Sequence, residues 1–386
     1  MNAPLSPDPP RGAHLARIEP AGIQRLTGYT VALASERRRH QLTDAFEATG
    51  ARVVSVQAAR VHTPPDDADL GAATACCLAG PVDELIVTSG FGFRAWLRGA
   101  QRRRDAEALV ARFATARLLA SNPRAADALR EIGLHEIWST AGSRTEDLFR
   151  YLMAQPMRGR RVVVQSDNLA VTELCHALRD TGAEVLEVPT FRCLPPDYTN
   201  LLRRLGDQVL NRQVDALVLI GAESVLNMLD QATADRRLDD VLNAVTSEVP
   251  ALCLGPVSAR LLAARGVPVR VPARPYLGDL VHLAGTVVPE YAVRVDNERY
   301  QLEVRGQTVV LDGRLIPAQP GPVAVLRALA RQPGRVVSLA DIRRGTPLWS
   351  GTEDHAIEMA VSRLRRSLGR PELIQTVMKR GYRLLG

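Results

Sequence analysis

Seven cations crowd the end of the chain. Arg363, Arg365, Arg366, Arg370, Lys379, Arg380 and Arg383 have only Glu372 among them as a counter-charge. Guanidinium and ammonium groups neutralise phosphate oxygens, and a compact surplus of them at one end of a chain is the electrostatic footprint of a nucleic-acid-binding module. Residues 291–386 hold 16 Lys or Arg against 9 Asp or Glu, the whole net charge of +7, whereas the first 290 residues hold 33 of each sign. Double-stranded DNA is therefore the expected partner. A second set of chemistry-bearing residues sits at the ends of apolar runs: Ser35, Thr88, Ser89, Ser166, Ser224, Gly255 and Ser258. Several immediately precede a helical pattern. Hydroxyls and backbone N–H groups there, with the positive helix end, suit the carboxylates or phosphates of an anionic small ligand. The same residue types also serve as ordinary caps and turns, so only their gathering around one cleft makes a ligand site. No Ser/His/Asp order, nucleotide loop or metal spacing is present. No catalytic residue, metal or cofactor is assigned.

The elements that must carry these residues can be read from periodicity. In EDHAIEMAVSRLRRSLG, Ile357, Val361, Leu364 and Leu368 recur at helical spacing and form a buried stripe. The opposite side presents His355, Met359, Ser362, Arg363 and Arg366. A helix with an apolar back and a cationic front fits a major groove. ELIQTVMKRGYRLL reads as two strands with Lys379 and Arg380 at the connecting turn, where they can grip phosphates or enter the minor groove. Upstream, YQLEVRG, QTVVLDG and RLIPA alternate like short strands, GPVAVLRALARQ is a helix with Val325, Leu326 and Leu329 inward, and Ser338 caps the next helix.

Before residue 291 the chain repeats itself. FEATGARVVSV (46–56) returns as LRDTGAEVLEV (178–188), and DELIVTSGFGFRAWL from Asp83 returns as DALVLIGAESVLNML from Asp215, both 132 residues on. A constant offset marks two related halves. Doubly apolar runs (VALAS, RVVSV, ELIVT, RVVVQ, EVLEV, ALVLI, ALCLG) alternate with amphipathic helices. The fold class is thus α/β, with two similar parallel-sheet lobes followed by a smaller C-terminal α+β domain. Ligands in such sheets sit outside the carboxyl ends of the strands. The Pro-rich residues 1–28 read as a disordered lead-in and 286–299 as a linker. No run is long enough to cross a membrane, and five scattered cysteines fit a reducing cytoplasm.

Strand-TSGFGF, SNPRAADALREIG, LGPVSARLLAARG and EVPTFRCLPP, taken together, resemble uroporphyrinogen-III synthase. The resemblance implies that the chain crosses between lobes twice, with 29–62 and 190–285 forming one lobe and 63–189 the other. It also implies a cleft for hydroxymethylbilane, a linear tetrapyrrole rich in carboxylates, cyclised with loss of water and without a cofactor. Departures from the family fall where catalysis is discussed. Its Tyr is Phe191 here, its Thr-Arg after the first strand is Ser35-Glu36, and Arg124, Ser121 and Ile220-Gly221 replace further turn residues. The turn Gly255-Pro256-Val257-Ser258 is kept.

LARQPGRVVS, AVSRLRRSLG and IQTVMKRGYRLL resemble the winged-helix effector domain of OmpR/PhoB-type response regulators, over 300–386. By that resemblance Met359, Ser362, Arg363 and Arg366 contact DNA from the helix and Lys379 and Arg380 from the wing. Arg365 and Arg370 are phosphate anchors or surface pairs, and Tyr382 packs under the wing. A receiver's acidic pair and phosphorylated Asp are replaced by Ser35-Glu36 and Thr88-Ser89, so phosphorelay control is not expected. Together the two resemblances imply a cytoplasmic transcription regulator whose body senses a tetrapyrrole or another anionic ligand. Such regulators, found in actinobacteria, would link tetrapyrrole supply to haem- or sirohaem-dependent metabolism such as nitrite assimilation. An active synthase with an appended DNA-binding domain is the alternative, and a body that recruits a co-regulator is the third reading. Modules of this kind imply a homodimer or a co-regulator as partner, but no dimer seam is visible in the sequence.

Overall fold

The computed structural model describes residues 25–35, 39–62, 68–140, 145–166, 169–196 and 200–386. Glu36, Asp167, Asn168 and most of the expected lead-in (1–24) lie outside the described residues. Two five-stranded parallel sheets form the body. The first runs Val269–Arg270, Ala251–Cys253, Ala216–Ile220, Thr30–Ser35, Arg52–Gln57, and the second runs Trp138–Ser139, Arg117–Ala120, Glu84–Val87, Arg161–Ser166, Glu184–Pro189. Their central strands are apolar and buried because helices cover both faces.

The internal repeat is physical. Asp215 opens the central strand of the first sheet, and its carboxylate accepts the N–H of Thr30 at 2.7 Å. Asp83, 132 residues earlier, accepts the N–H of Arg161 at 2.7 Å in the second sheet. The duplicated glycines Gly50 and Gly182 both hold left-handed backbone (φ 82° and 87°) where a helix turns into a strand. Between the lobes, Arg60–His62 pairs antiparallel with Arg192–Leu194. That ladder carries both crossings of the chain.

The C-terminal domain begins earlier than residue 300. Val293–Asn297 is a strand paired with Tyr300–Val304, so much of the expected linker belongs to a four-stranded antiparallel sheet. Val293 and Val295 alternate with Arg294 and Asp296, a strand pattern that the following turn completes. The helices Pro320–Ala330, Leu339–Arg344 and Asp354–Leu368 follow, with Val336–Val337, Ile374–Val377 and Gly381–Leu384 forming the wing sheet. One core runs from Val295 to Leu384. The end of the lead-in is also ordered: Leu26 is fully buried, and residues 25–28 form a turn against the first sheet.

This domain is docked on the first lobe. Tyr29 donates to Glu303, Arg305 lies 4.4 Å over the Tyr29 ring and donates to the Thr27 carbonyl, and Arg52 donates to Gln307 at 2.9 Å. Arg327 reaches the Arg212 carbonyl at 3.1 Å, Arg331 pairs with Glu248, and Thr346 bonds Asn211 at 3.1 Å. Gly306 comes so close that an added Cβ would sit 2.6 Å from the Asp215 carboxylate and 3.0 Å from the Gln213 carbonyl. Helix Pro320–Ala330 is consequently buried nearly all round, Arg327 included.

Burial pushes the Asp215 carboxyl up from 3.8 to about 6, against the N–H groups of Thr30 and Gly306 and the charges of Arg327 and Arg305, which pull it down. Between those values the folded chain holds a proton that the unfolded chain has lost. The Asp215 contribution to stability is thus fully present below about pH 4 and fades as pH rises through about 6. Denaturation of wild type and Asp215→Asn across pH 4–7 should show the wild type gaining relative to the variant as pH falls. A pH-independent difference would contradict this assignment.

Candidate functional site

The strand ends of the second lobe meet at a buried glutamine. Gln165 is fully buried in Arg161–Ser166, and its Oε1 accepts the N–H groups of Thr88 and Ser89, each at 3.3 Å. Its Nε2 donates to Ser89 Oγ at 3.0 Å and Thr190 Oγ1 at 3.2 Å. Thr88 Oγ1 donates to the Gln165 carbonyl at 2.9 Å, and Ser89 caps the helix Gly90–Arg103 by accepting the Gly92 N–H at 3.1 Å. Ser121 and Asn122 both donate to the Thr88 carbonyl, at 2.7 and 2.8 Å. These hydroxyls are therefore committed to shaping the turn.

The turn explains its own sequence. A Cβ at Gly90 would lie 2.2 Å from the Arg124 carbonyl, and one at Gly92 would lie 2.1 Å from Gln165 Nε2. Only glycine lets the helix start so close to the sheet. Phe93 then points into the core, while Phe91 is 43% exposed at the strand end. Phe91 meets Phe191 edge to face, ring centroids 5.6 Å apart. Phe191 is buried, so this position holds an aromatic contact and no hydroxyl.

On the first lobe the expected residues are less accessible. Ser35 and Ser258 are buried, and Ser224 is fully buried with its hydroxyl donated to the Ile220 carbonyl at 2.8 Å. Gly255 precedes helix Pro256–Ala263 with open space where a side chain would lie, whereas on the second lobe Ser166 ends its strand half-buried. From that helix Arg260 reaches Glu173 on Leu169–Asp180 of the second lobe at 2.5 Å. Both helices start at strand ends, so this exposed ion pair spans the cleft. Among the described residues no His/Cys/Asp/Glu group could hold a metal ion.

The basic face lies apart from the cleft. Helix Asp354–Leu368 buries Ile357, Ala360, Val361, Leu364 and Leu368 and exposes His355, Met359, Ser362, Arg363 and Arg366. Arg363 has a 3.4 Å bond to Gln319. Lys379 and Arg380 are exposed at the wing turn, beside Met378 at 81% exposure. The other cations are otherwise engaged. Arg365 donates twice to the Ile374 carbonyl (2.9 and 2.7 Å) and once to Thr376 (2.9 Å), fastening helix to wing above Tyr382. Arg370 pairs with Asp312 at 2.9 Å and with Glu372, so Glu372 is not the sole counter-charge of this segment.

Gln165, Phe91, the Arg260–Glu173 pair and Arg327 were not singled out from sequence. Gln165 had a signal, a lone amide at the end of the apolar run RVVV. The others depend on which surfaces meet.

A family model for uroporphyrinogen-III synthase HemD matches residues 23–282, more than half of the chain. The chain belongs to the uroporphyrinogen-III synthase family. A second model, that of the C-terminal domain of transcriptional regulatory proteins, matches residues 313–384. The fusion is therefore a synthase-like body with an OmpR/PhoB-type DNA-binding winged helix, the organisation of a transcription regulator. A mutant uroporphyrinogen III synthase from the extremely thermophilic bacterium Thermus thermophilus shares the fold of the body, with 24% identity, a TM-score of 0.51, and coverage of 66% of this chain and 96% of that one. The uncharacterized protein YjjA of Bacillus subtilis (strain 168) is 23% identical over 248 residues, 63% of this chain and 89% of YjjA. The response regulator protein PmrA of Pseudomonas aeruginosa is 37% identical over 83 residues, 21% of this chain and 37% of PmrA.

Within this family fold, Gln165 is the internal brace of the second lobe's strand ends. Gln165→Leu should cost about 1–3 kcal/mol, because buried N–H groups and hydroxyls lose their partner. Chemical denaturation measures it; a loss below about 0.5 kcal/mol would show that the turn holds without the amide.

Proposed function

We propose that the protein is a DNA-binding regulator whose cleft binds an anionic ligand of the tetrapyrrole class and whose lobe arrangement governs how the winged helix is presented. One observation carries the reading: the exposed front of Asp354–Leu368 and the wing turn, with Met359, Ser362, Arg363, Arg366, Lys379 and Arg380, stands on a domain docked to one lobe of the cleft. In this reading Ser362, Arg363 and Arg366 contact bases or phosphates, and Lys379 and Arg380 hold the backbone beside the groove. Thr88, Ser89, Ser166, Gly255 and the exposed Phe91 form the ligand-facing rim. Phe91 would offer a face for a pyrrole ring, and the helix starts favour its carboxylates. Ligand closure acts on DNA binding only if the ligand prefers one lobe arrangement. Genes that consume haem or sirohaem, nitrite assimilation among them, are the expected targets.

The alternative, a working synthase, is favoured by the intact Thr88-Ser89-Gly90 turn; the buried phenyl of Phe191, which can neither donate nor accept a proton, speaks against it. Incubation with enzymatically generated hydroxymethylbilane decides between them. The type I isomer alone is expected, and accumulation of type III would establish turnover instead.

Binding to its own upstream DNA should weaken steeply with salt, since each neutralised phosphate releases counterions. Arg363→Ala and Lys379→Ala should each lower affinity, and loss of a phosphate contact should reduce the salt slope by about 1. Unchanged affinity in both variants would move the DNA-binding surface elsewhere.

A further inference from the structure

A partly open cavity of about 260 Å³ lies along the seam between the first lobe and the winged helix. Arg212, Asp215 and Glu248 line it from the lobe, and Arg327 and Arg331 line it from helix Pro320–Ala330 and the residue after it. Arg327 is more than nine-tenths buried. Its two bonds go to neutral carbonyls, those of Arg212 and Arg305, each at 3.1 Å. Asp215 and Glu248 act on it only through space, and burial brings its pKa down to about 10, still charged at neutral pH. A buried guanidinium without a bonded anion is costly, since carbonyl dipoles replace only part of its hydration.

The neighbouring charges do not neutralise it. Arg212 holds Glu248 at 2.7 and 2.8 Å, and Arg331 holds it from the other side. Asp215 is turned to the backbone N–H groups of Thr30 and Gly306. Three guanidinium groups thus face two carboxylates, a surplus of one positive charge in a polar cavity. Its volume is below the roughly 300–1,000 Å³ of organic-ligand pockets. It suits a small anion with a few waters, not a tetrapyrrole.

We propose that this cavity is a binding site for a small oxyanion of the phosphate class, gripped by Arg327 and Arg331 of the winged helix and Arg212 of the lobe. Planar guanidinium forks match such oxygens in pairs. Glu248 already occupies two of the three forks, so the anion competes with it. The site is separate from the strand-end cleft and does not depend on how that cleft is read. Because its arginines come from both sides of the seam, an anion bound there stabilises the docked arrangement by mass action.

The test uses the full chain, with calorimetric titration and thermal unfolding in inorganic phosphate, referenced to chloride at matched ionic strength. Saturable phosphate binding with a concentration-dependent rise in Tm is expected. Arg331→Met should weaken it by about tenfold, the effect of losing one charge-assisted bond. Glu248→Gln should tighten it, since the competing carboxylate is gone. Glycerol phosphate in a parallel series separates the two sources: tighter binding than inorganic phosphate supports the site with a phosphorylated metabolite as its ligand, and weaker binding supports it with the free ion. The proposal is overturned if phosphate moves wild type and Glu248→Gln no more than chloride does, or if Arg331→Met binds phosphate as tightly as wild type.

Discussion

The closeness of the seam at Gly306 constrains the whole molecule. There the winged helix approaches the first lobe until only a hydrogen atom fits between its backbone and the Asp215 carboxylate. The last helix of the lobe, Leu277–Val287, passes through a short 3-10 turn straight into the strand Val293–Asn297, so the connection has almost no slack. Asp215 serves two masters: it ties Thr30 into the sheet, as Asp83 ties Arg161, and it also receives the Gly306 N–H. Of two duplicated aspartates, one has been drawn into joining domains. The first lobe and the DNA-binding domain are thereby joined along one continuous seam.

The second lobe meets the first through contacts of a different kind. The crossing is a three-residue ladder between Arg60–His62 and Arg192–Leu194. Arg260–Glu173 is exposed on both sides, and exposed pairs of this kind contribute only about 0–1 kcal/mol. Such a bridge sets a preferred spacing without locking it. By contrast, the Gln165 network is buried and reciprocal, so the turn around Thr88 and Ser89 moves as a rigid unit with its lobe.

The basic face divides its arginines by task. Arg365 is committed to the Ile374 carbonyl and fixes the wing relative to the helix, and Arg370 ties the helix end to the antiparallel sheet through Asp312. Arg363, Arg366, Lys379 and Arg380 are left on the outside. The first pair holds helix, wing and sheet together while the second group keeps its charge at the surface, which is why equal charge does not mean equal role.

Much of this was legible in the chain. Strands buried on both faces, a 132-residue repeat and an apolar stripe at helical spacing each follow from local pattern, and local pattern dictates which elements form and which face turns inward. The strand Val293–Asn297 was missed, because its Pro-containing approach reads as a linker until a pairing partner is known. What the sequence could not disclose is where separate surfaces meet. Arg327 carries a charge that would ordinarily face solvent, and it is buried because another domain covers it. Thr88 looks like a site hydroxyl, and it is consumed by the Gln165 carbonyl, 77 residues further along the chain. Local sequence determined the elements, their order and their charge. Tertiary contact alone decided which polar groups keep their bonding capacity for a ligand, because that depends on neighbours far away along the chain.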